Sequence, residues 1–185
     1  MRFKIIYADV PWSYRDQGCS GTMADHYHGM KLEDIKRLPV QDIADKDSAL
    51  FFWATYPMLR EALEVIEAWG FIYKTIAFQW IKLNPKSLTP FYGLGRWTRG
   101  NTEPCLLATK GHPHRVSNSV FQLIQAPRRR HSEKPDIVRD KIVKLMGDLP
   151  RIELFARKKV PGWVAVGNEI DGKDIFDALE EIKRR

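Results

Sequence analysis

Apolar residues in this chain fall into two patterns: short unbroken blocks, and longer stretches where they recur every three or four positions. Phe3–Ala8, Ser48–Thr55, Lys74–Lys82, Cys105–Thr109, Val120–Gln125, Ile152–Phe155 and Trp163–Val166 are of the first kind. Such blocks predict buried strands. Pro57–Trp69 is of the second kind, with Leu59, Leu63, Ile66 and Trp69 along one side. Lys134–Met146 likewise gathers Val138, Ile142, Leu145 and Met146. In both predicted helices a proline (Pro57, Pro135) suits the first turn and a glycine (Gly70, Gly147) suits the end. Lys31–Leu38, stopped by Pro39, predicts a short helix, and Lys173–Lys183 a final one.

Strands separated by helices predict an α/β sheet with parallel strands. Ligands of such sheets bind beyond the carboxyl ends of the strands. Two segments occupy such places, Asp9–Trp12 after the first strand and Ala156–Lys159 after a late one. Asn84–Asn101 has little periodicity, and a loop that long is usually functional or disordered. Its Phe91, Tyr92, Arg96, Trp97 and Arg99 favour function.

The chain has 185 residues, which fits a single domain over 1–185 with a sizeable core. No apolar run reaches the ~18 residues of a membrane span, and the amino terminus lacks a signal-peptide pattern. Two cysteines, Cys19 and Cys105, are too few for a disulfide scaffold or a self-contained zinc site and fit a reducing, cytoplasmic setting. The five histidines show no ligand spacing, so no metal is expected. The net charge of +7 changes the picture once it is divided along the chain. Residues 1–81 carry nine basic and eleven acidic groups, 82–134 carry ten and two, and 135–185 carry eleven and ten. The excess therefore sits in the middle segment. It suits either a solvated basic surface or a polyanion-binding face.

The strongest local signal is Tyr7-Ala8-Asp9-Val10-Pro11-Trp12. Read alone, it suits a capping aspartate before a turn, with the tryptophan in the core. It equally suits an aromatic plate beside a hydrogen-bond acceptor, which a flipped base requires. Asp9-Val10-Pro11-Trp12 resembles the Asp-Pro-Pro-Trp motif of adenine amino-methyltransferases. The supporting segments follow in order: His26-Tyr27-His28-Gly29-Met30, Leu50-Phe51-Phe52-Trp53, Gly93-Leu94-Gly95-Arg96-Trp97-Thr98-Arg99, Asn101-Thr102-Glu103, His131-Ser132-Glu133-Lys134-Pro135-Asp136, Ile152–Arg157, Pro161-Gly162-Trp163 and Gly167-Asn168-Glu169. With them the chain resembles the MT-A70 family, and most of all its short bacterial and phage members, which are similar to DNA adenine methyltransferases.

The resemblance implies a Rossmann-like sheet dependent on S-adenosylmethionine, in circularly permuted order with the catalytic strand first. It implies methyl transfer to the N6 amine of adenine in DNA, with RNA as the alternative substrate. It also implies a cytoplasmic location in a bacterial or phage-infected cell, with no membrane partner; a homodimer is left open. Asp9 and a main-chain carbonyl of the Val10-Pro11 turn would accept hydrogen bonds from the amine, and Trp12 would stack on the base. Val10 stands where the family has proline. The carbonyl remains but the stiffness of the ring is lost, so weakened activity is the alternative. The cofactor is expected at Asp9, Ser132, Lys134, Arg157, Asn168 and Glu169. The substrate is expected at Trp12, Tyr14, Arg96, Trp97, Arg99, Asn101 and Glu103, with Arg128, Arg129 and Arg130 on phosphates.

Overall fold

The computed structural model describes residues 2–13, 29–95, 97–130 and 132–184. Seven strands form one sheet: β1 (Phe3–Ala8), β2 (Ala44–Trp53), β3 (Ile72–Leu83), β4 (Thr102–Lys110), β5 (Leu123–Pro127), β6 (Arg151–Leu154) and β7 (Val164–Val166). Their spatial order is β5-β3-β4-β2-β1-β6-β7. The helices are α1 (Leu32–Lys36), α2 (Val40–Ile43), α3 (Leu59–Ala68), α4 (Ile137–Met146), α5 (Asn168–Asp171) and α6 (Ile175–Arg184), with a 3-10 turn at Tyr56–Met58.

The apolar blocks form the middle of this sheet because they are wanted on both faces. On β1 and β2, Ile6, Ala8, Leu50 and Phe52 enter one core with Ala62, Val65 and Ile66 of α3 and Leu179 of α6. Their neighbours Ile5, Tyr7, Ala49, Phe51 and Trp53 enter the other, with Val138 and Ile142 of α4. Alternation of side chains along a strand thus divides one apolar run between two cores.

The expectation of parallel strands holds for all but one. β1 pairs parallel with β2 and β6, β6 with β7, and β3 with β5. β4 runs antiparallel to both β2 and β3. The reason lies in the chain: β3 and β4 are joined by residues 84–101, with no crossover helix to return the chain to the other end of the sheet. The sheet is therefore mixed.

Smaller corrections have local causes. α3 buries Ala62, Val65 and Ile66, while Leu59, expected in its apolar stripe, is exposed, because the first turn is taken by the 3-10 segment. α4 begins at Ile137, later than the expected Lys134, and Ser132 lies outside the helix with a positive φ of 61°. β5 lies two or three residues later than Val120–Gln125, following its register with Gln79–Leu83. Gly70 and Gly147 do end their helices, with φ of 79° and 90°, conformations that favour glycine.

Candidate active site

Adjacent parallel strands β1 and β6 end side by side, with Ala8 paired to Leu154. The chain leaves β1 toward β2 on one side, and β6 continues to β7 on the other. This is a topological switch point, where open α/β sheets hold ligands. A cavity of about 530 Å³ opens there. Its lining includes Asp9 from the end of β1, Phe155 and Arg157 from the end of β6, Glu133 and Lys134 before α4, and Glu169 of α5.

Two backbone features shape the rim. Phe155 has φ of 58°, a conformation that costs a side-chain-bearing residue about 1–3 kcal/mol and tends to persist at functional sites. It turns the chain so that the Ala156 amide donates to the Val166 carbonyl at 2.9 Å. A Cβ on Gly167 would overlap the backbone of Ala156, so the two strand ends meet only through a glycine. Below Asp9, the Met30 amide donates to the Pro11 carbonyl at 2.8 Å and the Ser13 amide to the Met30 carbonyl at 3.1 Å. Gly29 has no room for a Cβ against Trp12 and Ser13.

Asp9 does not stand alone. Lys134 Nζ lies 2.9 Å from Asp9 Oδ1 and 3.3 Å from Glu103 Oε1. Glu103 Oε2 in turn lies 2.9 Å from Lys82 Nζ. Lys134 also donates to the Ser132 carbonyl at 3.2 Å and faces the Trp53 ring at 5.6 Å. The result is a series of alternating charges, Asp9–Lys134–Glu103–Lys82, from the cavity to β3, with Lys134 and Glu103 buried and the two ends half-buried. Burial pushes the Asp9 carboxyl up, Lys134 opposes it, and the nearby Glu103 adds to it. Burial alone would raise Glu103 as well, but Lys134 and Lys82 together hold it below the ordinary glutamate value. Burial works to lower Lys134, yet its two carboxylates hold it above the ordinary lysine value, so it stays protonated.

A second network forms the cavity's outer wall. Asp136 accepts from Arg139 at 2.8 Å and lies 2.7 Å from Lys158. Burial would raise its carboxyl, but Lys158 and Arg129 hold it down at about 2. A lowered carboxylate contributes stability above its unfolded value, and that contribution is lost as pH falls toward the folded one. Asp136→Asn is therefore expected to flatten the loss of stability between pH 3.8 and about 2, read by chemical denaturation across that window.

The residues expected from sequence are brought together unevenly. Asp9, Lys134, Arg157 and Glu169 share the cavity, with Arg157 Nε 3.6 Å from Glu169 Oε1. Asn168 is exposed at the start of α5 and Ser132 is placed beside Lys134 by its carbonyl. Val10 and Trp12 are buried in the core, and the Trp12 ring meets Phe52 edge-on at 6.1 Å. Val10 is thus restrained by packing where the family motif uses a proline ring. The three arginines part ways: Arg128 lies over the Phe91 ring, Arg129 pairs with Glu133 and Asp136, and Arg130 lines the cavity. Asn101 donates to the Phe91 carbonyl at 2.7 Å, while Trp97 and Arg99 are exposed. Tyr14 and Arg96 lie outside the described residues, as do His26, Tyr27 and His28 of the family-like segment. Sequence reasoning missed Lys82 and Asp136, whose partners are distant or shared and leave no spacing signal. Among the described residues no three metal-ligating side chains gather. No described helix is long and apolar enough to cross a membrane.

Residues 3–169 match the model of the MT-A70 family. The chain belongs to the MT-A70 family. It is 36% identical to the Type II methyltransferase M.MunI of a Mycoplasma species, over 94% of this chain and 80% of that protein. It is 29% identical to the N(6)-adenosine-methyltransferase catalytic subunit METTL3 of Homo sapiens, over 95% of this chain and 30% of that protein. An MT-A70-like N(6)-adenosine-methyltransferase of Arabidopsis thaliana is 30% identical, over 92% of this chain and 24% of that protein. The chain thus spans most of M.MunI but less than a third of these eukaryotic relatives. In this MT-A70 member, the Asp-Pro-Pro-Trp-like turn is the segment that carries Asp9 to the cavity rim.

Proposed function

We propose that this chain transfers a methyl group from S-adenosylmethionine to the exocyclic N6 amine of adenine in DNA, with both sites on one domain. One observation carries the reading most directly. A carboxylate at the end of an interior strand, Asp9, stands at the rim of a switch-point cavity in a chain of the MT-A70 family. The sheet order supports a permuted methyltransferase arrangement, since the first strand of the chain lies in the interior of the sheet beside the late strand β6.

The donor set fits the cofactor. Asp9 and Lys134 offer one anion and one cation side by side, the complement of an amino acid's ammonium and carboxylate. Arg157 and Glu169, on the same wall, suit the polar edge of a nucleoside. Bound there, S-adenosylmethionine supplies an electrophilic methyl group. The chain's own part is to hold the adenine amine. That nitrogen is a poor nucleophile while its lone pair is delocalised into the ring. Two acceptors on its hydrogens favour a pyramidal nitrogen with the lone pair free. Asp9 is one acceptor. The Pro11 carbonyl already accepts from Met30, so the Val10 carbonyl is assigned as the other. Positioning and electrostatics then account for the rate, without a covalent intermediate. The stacking role of Trp12 requires one ring face to be uncovered when the base enters.

DNA is favoured over RNA by the match to M.MunI along most of that protein's length; the positive middle segment suits either polyanion. The test is incubation with labelled S-adenosylmethionine and adenine-containing DNA or RNA, followed by nucleoside analysis. Label in N6-methyldeoxyadenosine is the expected result. Label only in the ribonucleoside would move the substrate to RNA, and no label with retained cofactor binding would mark a catalytically weakened member.

A further inference from the structure

The loop between β3 and β4 ends in two apolar side chains that the fold leaves in water. Leu94 is 97% exposed and Trp97 is 98% exposed. A fully exposed tryptophan forgoes more burial than almost any other side chain. Its exposure here is built, because the loop beneath it is tied at several levels. The Lys82 amide donates to the Asn101 carbonyl at 3.0 Å and the Phe91 amide to the Lys82 carbonyl at 2.8 Å. Asn101 Nδ2 closes on the Phe91 carbonyl at 2.7 Å, and the Gly93 amide on the Gly100 carbonyl at 2.7 Å. The Arg128 guanidinium lies 3.3 Å over the Phe91 ring and fastens the base from β5. At the tip, a Cβ on Gly95 would overlap the Thr98 carbonyl, so the turn there needs a glycine.

The base of this loop is placed relative to Asp9. β3 runs in the same direction as β1, through its shared antiparallel partner β4 and then β2, so the loop leaves the edge of the sheet that carries Asp9. Its base at Lys82 is joined to Asp9 through Glu103 and Lys134, each step 3.3 Å or shorter. The tip itself is followed by Arg99, and residues 82–134 hold ten basic and two acidic groups, which complements a polyanion.

Resting on the reading that the substrate is an adenine in nucleic acid, we propose that Leu94 and Trp97 form an apolar wedge that enters a duplex beside the extruded base. Chemistry on N6 inside a duplex requires the base to leave the stack, and its departure exposes the faces of the neighbouring bases. An indole from outside restores that stacking, as apolar side chains do in other proteins that open base steps. The partner is therefore double-stranded nucleic acid, and the wedge acts only where there is a stack to open.

The experiment compares Trp97→Ala and a Leu94→Ala/Trp97→Ala pair with the unaltered chain on three oligonucleotides of one sequence. These are single-stranded DNA, the matched duplex, and a duplex with an abasic site opposite the target adenine. The wedge predicts that the ratio of transfer on the matched duplex to transfer on single-stranded DNA falls by about tenfold or more, and that the abasic duplex recovers much of the loss. Equal loss on all three substrates overturns the wedge, as does no loss on the duplex. Loss of a dimer in the variants, seen by light scattering, overturns it in favour of a contact between copies. Absence of methylation by the unaltered chain on every substrate is a failure of the function proposed above, and is seen before any variant is made.

Discussion

Asp9→Asn is expected to lower methyl transfer by roughly a hundredfold to a thousandfold, the range seen when one preorganised electrostatic contact is removed from an active site. The change keeps the shape of the side chain. It replaces one acceptor oxygen with an NH₂ that cannot accept from the adenine amine. The fold at neutral pH is expected to be retained. Burial raises the Asp9 carboxyl above its ordinary value. A group raised in this way contributes stability that is present below its unfolded value and lost as pH rises through the folded one. At neutral pH the ionised Asp9 is therefore a net cost to folding, and Asn removes it, while Lys134 keeps Glu103 at 3.3 Å. The same shift sets the pH dependence of the unaltered enzyme. The rate falls as pH drops through an ionisation lying above the ordinary aspartate value. Single-turnover rates across pH, with thermal unfolding of both proteins, check the pair of expectations. A variant that unfolds at neutral pH, or one that keeps full activity, would remove Asp9 from its assigned role.

The parts of this molecule legible in the sequence are those where one physical rule dominates. β1 and β6 announce themselves because an interior strand buries both faces, and Gly70 and Gly147 announce helix ends because few other residues adopt their φ. The direction of β4 was hidden, since a strand's residues look alike whichever way it runs; only the missing helix between Leu83 and Thr102 bears on it. The site shows the same division. Asp9 was readable from the motif because its neighbours Pro11 and Trp12 are contiguous with it. Lys134 was expected beside the cofactor, but its direct pairing with Asp9 was not readable. Lys134 lies far along the chain and reaches Asp9 only because α4 packs on the face of the sheet below the β1–β6 junction. Glu103 was expected to touch base or cofactor, yet it accepts two lysines from different elements. Pairings of this kind come from register and packing, and no spacing in the sequence encodes them.

Glu153→Ala is expected to destabilise the fold by about 3–5 kcal/mol, the cost of leaving one member of a buried ion pair without its partner. Glu153 lies on β6 and Arg139 on the inner face of α4, and both are buried. Arg139 Nε and Nη2 reach the two carboxylate oxygens at 2.7 and 2.6 Å, a planar two-point contact that fills both lone-pair directions. The guanidinium also lies 5.7 Å over the Tyr7 ring, on the strand that leads into Asp9. Removing the carboxylate leaves Asp136, at 2.8 Å, as the acidic partner of Arg139 among the described residues, and it is itself shared with Lys158 and Arg129. For a chain of this size the loss corresponds to a fall in Tm of roughly ten degrees. The double variant Arg139→Met/Glu153→Leu separates charge from packing. If the penalty comes from an orphaned cation in the core, removing both charges recovers most of the loss, because apolar groups of similar volume replace buried ion pairs at little cost. A double variant no more stable than Glu153→Ala would show instead that the two-point contact itself docks α4 against β6. Lys134 is carried immediately before α4, so in that case the geometry of the Asp9–Lys134 pair would be expected to fail along with stability, and cofactor affinity to fall in proportion.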